Sequence, residues 1–297
     1  MTQGNKCLVC GSSDTALKFT CIDHLTRKES FNIHACTKCG FKFTFDPPPE
    51  NEAGKYYDDS QYISHSNTRT GVINTLYHFT RSLMLRRKRS LIRRVTGLNT
   101  GTLFDIGCGT GYFAGFMKES GWKVTGLEIN EKARDHAREK FGLEVIDQPQ
   151  LSGLESGIFD CITLWHVFEH FYDPVGSFTA IRRLLKPGGR CIIAMPNSSS
   201  PDARHYGRHW AAWDVPRHLW HFDPDTFISF AANNGLKVTG IKSLPADVFY
   251  ISLLSEKYRS TNMPFVTGMI KGLWFAMLTM FNRRRSSSVI YILDPIS

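Results

Sequence analysis

The run Phe104-Asp105-Ile106-Gly107-Cys108-Gly109-Thr110-Gly111-Tyr112-Phe113 constrains this chain more than any other stretch, with three glycines in five residues directly behind a short apolar segment. A glycine-rich loop after a strand is a common way to hold a nucleotide. A triphosphate loop is excluded, because no Gly-Lys-Ser/Thr follows. The dinucleotide fingerprint also fails, since its third glycine would fall on Tyr112. What stands instead is Asp105-x-Gly107-x-Gly109-x-Gly111. A carboxylate beside the loop would repel a pyrophosphate and suits a cationic ligand. Glycines at 107 and 109 let a backbone approach that a Cβ would obstruct.

The surroundings give the fold class. From residue 101 onward "TLFDIG", "KVTGLEIN", "LEVID", "FDCITLWHV", "RCIIAMPN", "LKVTGIKSL" and "SVIYIL" read as seven strands. Between the first six lie helical patterns such as "GYFAGFMKESG", "EKARDHAREKFG", "SFTAIRRLLKPGG" and "PDTFISFAANNG". Short apolar strands alternating with amphipathic helices imply an α/β fold: a Rossmann-like seven-stranded sheet, largely parallel, with helices on both faces. Ligands of such sheets bind at the carboxyl ends of the strands. Glu128 closes the second strand, where an acid can grip both ribose hydroxyls.

Residues 1–46 read as a separate small module. Cys7-x-x-Cys10-Gly11 and Cys36-x-x-Cys39-Gly40 flank two β-type runs. Two such knuckles joined by a hairpin present four sulfurs to one cation, the closed site of a structural zinc, so a zinc ribbon is expected. The N-terminus has no secretory signal, and the expected location is cytoplasmic, where a cysteine cluster serves metal binding rather than disulfides. Residues 47–98 form a linker and a basic helix from about Thr70 to Thr96, stopped by Gly97. The linker's "YYDDSQYISHSN" is expected to cover a neighbour rather than build core.

Four segments in order, "FDIGCGTG", "LEIN", "FDCITLWHVFEHFYDP" and "LLKPGGRCIIAMPN", resemble the motifs of class I S-adenosylmethionine-dependent methyltransferases. The resemblance covers nearly all of residues 99–297. It implies that Asp105, Gly107 and Gly109 line the methionine part of S-adenosylmethionine and that Glu128 takes the ribose. Asp147 and Gln148 would approach the adenine, with Cys108, Gly111, Ile129 and Trp165 in the same shell. A four-cysteine module before such a core is also similar to sugar C-methyltransferases, by which His170 and His218 would border the acceptor. Arg217 stands where that family places an acid, and little chain follows the seventh strand where that family has a further domain. The core is equally similar to O-methyltransferases of the quinone-biosynthesis type.

Methyl transfer from a sulfonium needs alignment, exclusion of water and, for a neutral nucleophile, a base. Histidine suits that task near neutral pH. The candidates are His166, Glu169 and His170 in "WHVFEHF", and Asp214, Arg217, His218 and His221 in "AAWDVPRHLWHF". His166 and His170 are four apart and could share one helix face, in a packing role.

Between the sixth and seventh strands an insertion at about 246–286 includes "PFVTGMIKGLWFAMLTMFNRRR". A single membrane crossing would strand the seventh strand away from its sheet. The insertion is then an in-plane amphipathic helix over 264–285 on an anionic inner membrane face, a lid over the pocket, or a dimer contact. The first places Trp274, Met277, Leu278 and Phe281 down, with the arginines at the headgroups. The formal charge of +9 is concentrated at 81–94, which hold seven Lys or Arg, and at 283–285. The expected reaction is methylation of a small-molecule or lipid-linked acceptor, sugar- or quinone-like. The alternative is RNA methylation, with the zinc module and basic helix gripping phosphates. A non-catalytic binding protein is disfavoured by the intact loop and the histidine-rich edge.

Overall fold

A computed structural model describes residues 6–57 and 72–296. The N-terminal module is a meander of β1 (Thr15–Ile22), β2 (Ser30–Cys36) and β3 (Lys42–Phe45). Its pairings are antiparallel, and a fourth strand, β9 (Trp220–His221), joins β3 from far along the chain. The basic helix is α1 (Val72–Thr96). Gly97, at φ +73°, turns the chain out of it and donates its N–H to the Arg93 carbonyl. Ile92 is fully buried under this helix while Leu83 stays exposed. The Tyr-rich segment at 56–67 falls mostly outside the described residues.

The main sheet is built from β4 (Thr102–Ile106), β5 (Lys123–Leu127), β6 (Glu144–Ile146), β7 (Phe159–Trp165), β8 (Leu185–Pro196), β10 (Leu236–Ser243) and β11 (Ser288–Pro295). Its order is β10-β11-β8-β7-β4-β5-β6, parallel from β8 to β6, with β11 antiparallel to both neighbours. The chain steps outward from β4 through β5 to β6 and then returns to β7 on the other side of β4. That reversal opens a crevice beyond the carboxyl ends of β4 and β7.

Helices α2 (Tyr112–Glu119), α3 (Glu131–Phe141), α4 (Pro174–Leu184), α5 (Pro201–Tyr206) and α6 (Pro224–Asn233) connect these strands. Local chemistry sets their ends. Asn130 caps α3 by accepting from the Ala133 N–H, and Gly142 closes it in the left-handed conformation. Asp223 and Thr226 form a reciprocal capping box at α6. One expected boundary moves: α4 ends at Leu184, and Lys186–Gly189 bulge within β8, where Phe159 pairs Leu185 and Cys161 pairs Arg190. The expected Pro-Gly-Gly turn therefore interrupts a strand rather than ending a helix.

The insertion is a helical hairpin, α7 (Asp247–Tyr258) and α8 (Pro264–Thr279). Among the described residues no helix is long and apolar enough to cross a membrane.

The module is welded to the main sheet. Cys7, Val9, Cys36 and Phe41 share a buried cluster with Phe168, Phe222 and Phe230. The Asp23 carboxylate, fully buried at the hairpin tip, takes a hydrogen bond from Arg217 Nη2 at 3.0 Å. Arg217 also pairs with Asp214 at 2.7 Å and donates to the Tyr56 carbonyl at 2.8 Å. Removing one member of such a buried pair typically costs about 3–5 kcal/mol.

Candidate active site

The loop after β4 turns through Gly107, Gly109 and Gly111, all at positive φ. At Gly107 a Cβ would meet the Val167 methyls at 2.5 Å, so glycine answers there to backbone conformation and to packing beneath the crevice. The Glu128 carboxylate, buried at the end of β5, accepts from the Gly109 N–H and the Asn130 N–H, both at 2.9 Å. Ile129 beside it is 71% exposed, an apolar surface offered to a flat ligand. Asp147 and Gln148 follow β6, where Asp147 turns back in mutual hydrogen bonds with Gln150. Cys108 is buried beneath Gly126.

Asp105 is almost fully buried and accepts from Thr163 Oγ1 at 2.6 Å. Burial pushes its carboxyl up to about 7, against the opposing pull of the Thr163 hydroxyl and Lys88. Lys88, from α1, lies with its ammonium 4.1 Å from the Trp165 ring centre. Burial lowers it to about 8, although Asp105 and Asp247 favour its charge. The crevice thus already draws a cation toward Asp105, and the Trp165 Nε1 has no partner. These residues fit a ligand with a ribose, an aromatic base and a cationic sulfur or amine.

A second cluster, rich in histidines, is assembled over the end of β7. Rather than starting a helix, residues after Trp165 make a single 3-10 turn, Phe168–His170, so His166 and His170 share no helix face. His166 sits at φ +57° and Asp214 at φ +36°, left-handed positions that are strained for side chains of this kind. The loop 214–221 is laced onto this turn. Leu219 N–H donates to the Glu169 carbonyl at 2.8 Å, and Trp220 Nε1 to the Phe171 carbonyl at 2.7 Å.

Two histidines are held alike. His170 Nδ1 lies 3.1 Å from the Arg217 carbonyl, and His218 Nδ1 lies 2.9 Å from the Ala212 carbonyl. A carbonyl only accepts, so each Nδ1 carries the hydrogen, which in a neutral ring leaves the lone pair on Nε2. His218 Nε2 stands 3.9 Å from Glu169 and 3.8 Å from Asp214. Burial, reinforced by His218, lowers His170 to about 4, so it is neutral at pH 7. Tyr57 reaches its Nδ1 at 3.1 Å.

His166 differs. Burial would lower it, but Asp247 at 2.8 Å and Glu169 at 3.5 Å outweigh that and hold it at about 10. It is an imidazolium, not a base. Glu169 is buried with both oxygens lacking a hydrogen bond, and the surrounding histidines offset its burial and bring it to about 2. His221 is buried and bonded to Thr44 at 3.1 Å, a contact that ties the 214–221 loop to the N-terminal module. Glu169, His170 and His218 also offer three ligand atoms within 4.8 Å of one another, a geometry that a cation could use.

In the module the Cys7–Cys39 and Cys10–Cys36 sulfurs are 3.5 and 3.6 Å apart, and all four lie within 4.8 Å. A tetrahedron of sulfurs about 2.3 Å from a central zinc has edges of about 3.8 Å. The separations fit a metal and are far too long for disulfides.

Sequence reasoning missed Asp247, Lys88, Tyr57 and the Asp23–Arg217 link. Asp247 lies in the insertion and Lys88 in a run of like charges, so neither had a local signal. Arg217 did: an arginine in place of an expected acid implied an anionic partner elsewhere, which is Asp23.

A family model described as a methyltransferase domain matches residues 78–240. The ubiquinone biosynthesis O-methyltransferase of Caulobacter vibrioides is 38% identical over 175 residues, 54% of this chain and 68% of that protein. Its counterpart in Aromatoleum aromaticum is 31% identical over 113 residues, 36% of this chain. The match to the latter spans about half of that relative's length, at 48%. A SAM-dependent methyltransferase structure from Archaeoglobus fulgidus has the same fold, with a TM-score of 0.50 at 20% identity over 72% of this chain and 93% of that one. The chain belongs to the methyltransferase domain family, as a class I S-adenosylmethionine-dependent member.

Proposed function

We propose that this protein methylates a small-molecule or lipid-linked acceptor, sugar- or quinone-like, with His218 as the base. The observation that carries the reading is the buried, hydrogen-bond-free Glu169 carboxylate facing His218 Nε2 at the mouth of the donor crevice. When bound, S-adenosylmethionine supplies a methyl group already activated on a positive sulfur. Glu128 holds the ribose hydroxyls and Asp105 attracts the cationic end. His218 Nε2 would take the proton that the acceptor's nucleophile loses as it is methylated. Glu169 and Asp214 stabilise the resulting imidazolium, as opposite charges nearby favour the charged form. His166, fixed as a cation by Asp247 and Glu169, anchors the turn and opposes negative charge beside it. His170, neutral and tethered by Arg217 and Tyr57, orients the acceptor. Zinc on Cys7, Cys10, Cys36 and Cys39 holds the module that carries Asp23 and Thr44 against this loop.

The RNA reading loses support from the hairpin tip. Asp23 is buried on Arg217 and His24 stacks on Tyr258 at 3.9 Å, so the tip faces the protein, not a phosphate backbone. The deciding experiment incubates the protein and methyl-labelled S-adenosylmethionine with a cell extract and then separates lipid, small aqueous molecules and nucleic acid. Label in lipid or small molecules is expected, and its loss with His218→Ala assigns the base. Label in RNA alone would overturn the reading.

A further inference from the structure

Helix α8 is built inside out. Toward α7 it presents Gly268 and Gly272, and a Cβ on either would come within 2.6–2.8 Å of Leu253 or Phe249. Only Phe275 among its large side chains is buried. The opposite face carries Phe265, Ile270, Leu273, Trp274 and Met277, and Phe281 just beyond the helix is 92% exposed. Phe265, Leu273, Met277 and Phe281 are spaced by eight, four and four, and Ile270 and Trp274 form the adjacent row, so together they make one broad apolar stripe. Glycines give the close approach and large apolar groups face out, so the stripe contributes nothing to this fold. Contiguous exposed apolar surface of this kind marks a contact surface.

Charge identifies the contact. The hairpin has two acids, and both turn inward: Asp247 pairs with His166 at 2.8 Å, and the buried Glu256 pairs with Lys271 at 2.9 Å. Its exposed charged residues, Lys257, Arg259 and Arg283 to Arg285, are all positive. Arg284 is shared with Asp225, while Arg283 and Arg285 lie just beyond Phe281 at the end of the stripe. An apolar stripe ending in unpaired arginines, on a helix too short to span a bilayer, matches an interfacial helix.

We propose that the outer face of α8 lies in the headgroup region of an anionic lipid bilayer, with Arg283 and Arg285 on the lipid phosphates. Asp247 roots the same hairpin at His166, so the docked hairpin sets the active-site crevice at the membrane surface. This last consequence rests on the methyl-transfer reading; the lipid contact does not.

The test is co-sedimentation of the full chain with vesicles of mixed phosphatidylglycerol and phosphatidylcholine, against phosphatidylcholine alone. Binding is expected to be at least about tenfold tighter on the anionic vesicles and to weaken with salt. Ile270→Ser/Trp274→Ser/Phe281→Ser should abolish it, and Arg283→Glu/Arg285→Glu should remove the preference for anionic lipid. S-adenosylmethionine affinity and circular dichroism should stay as in the parent, since these residues face solvent. Equal binding by parent and triple variant, or by both vesicle types, would overturn the proposal. So would a lipid-free dimer in sedimentation equilibrium that the triple variant dissolves, which would assign the face to a second copy of this chain.

Discussion

The two halves of the crevice are built in opposite ways. The donor half takes Asp105, the glycines and Glu128 from one strand-loop-helix-strand unit. The Glu128 contacts to Gly109 and Asn130 close within that unit and the turn after it, and Thr163, on the adjacent β7, reaches in to Asp105. The acceptor half gathers the module tip, the linker at Tyr56 and Tyr57, the turn after β7, the 214–221 loop and α7. Local segments specify the first, and long-range contacts specify the second. The donor site should therefore survive damage that destroys the acceptor site.

Metal removal is the most severe way to break that comparison. Structural zinc contributes about 10–16 kcal/mol in small modules, so chelation or Cys36→Ser should unfold this one. Asp23 and Thr44 would then release Arg217 and the His218 carbonyl, which they hold at 3.0 and 2.6 Å. Turnover should fall to background while calorimetry still finds S-adenosylmethionine bound within about threefold of the parent. Loss of both together would show that the halves are one unit.

His218→Ala comes next. A positioned base contributes about 10²–10⁴-fold, and turnover should drop by that factor with donor affinity unchanged. The same substitution at His166 removes a cation rather than a base. It should leave the acid side of the rate profile, where a base becomes protonated, in place, whereas His218→Ala should alter that side. Identical pH profiles for the two variants would contradict the separate roles assigned to them.

This division also explains what the sequence made legible. The succession of strands and helices, the glycine loop and the place of Glu128 at a strand end follow from patterns a few residues long, because alternation and turn chemistry fix strand, loop and helix where they stand. The cysteine pairs were legible for the same reason. His166, His170 and His218 could be listed but not sorted, since Asp247 makes one of them a cation and the Arg217 carbonyl fixes another's tautomer. Both partners lie far away in sequence. The insertion's polarity was partly legible: its apolar and basic residues stood out, but the glycine face that turns them outward needed α7 beside it.

Glu128→Ala probes the donor half directly. Losing hydrogen bonds to a charged acceptor costs about 1.5–3 kcal/mol, roughly ten- to 150-fold in S-adenosylmethionine affinity by calorimetry. Turnover at saturating donor should be nearly unaffected, since the acceptor half does not depend on it. An unchanged dissociation constant would remove Glu128 from the ribose.

The smallest effect is also the most diagnostic of charge. Asp105 is held at about 7 in the empty protein, chiefly by burial. A cationic ligand favours its carboxylate, so binding releases a proton wherever the empty protein is still protonated. The sign follows: affinity is weak below pH 7, rises as Asp105 ionises and levels off above it. Between pH 6 and 8 the expected gain is about tenfold, the change in ionised fraction for a single group at this position. Lys88, at about 8, adds in the same direction, because losing its charge relieves repulsion of the ligand. Asp105→Asn should flatten the rise through pH 7 and leave only the shallower step from Lys88. Calorimetry in two buffers of different ionisation enthalpy reads the proton release independently of affinity. Equal apparent enthalpies in both buffers at pH 6.5 would mean that Asp105 does not face the cation, and the donor would then have to lie reversed in the crevice.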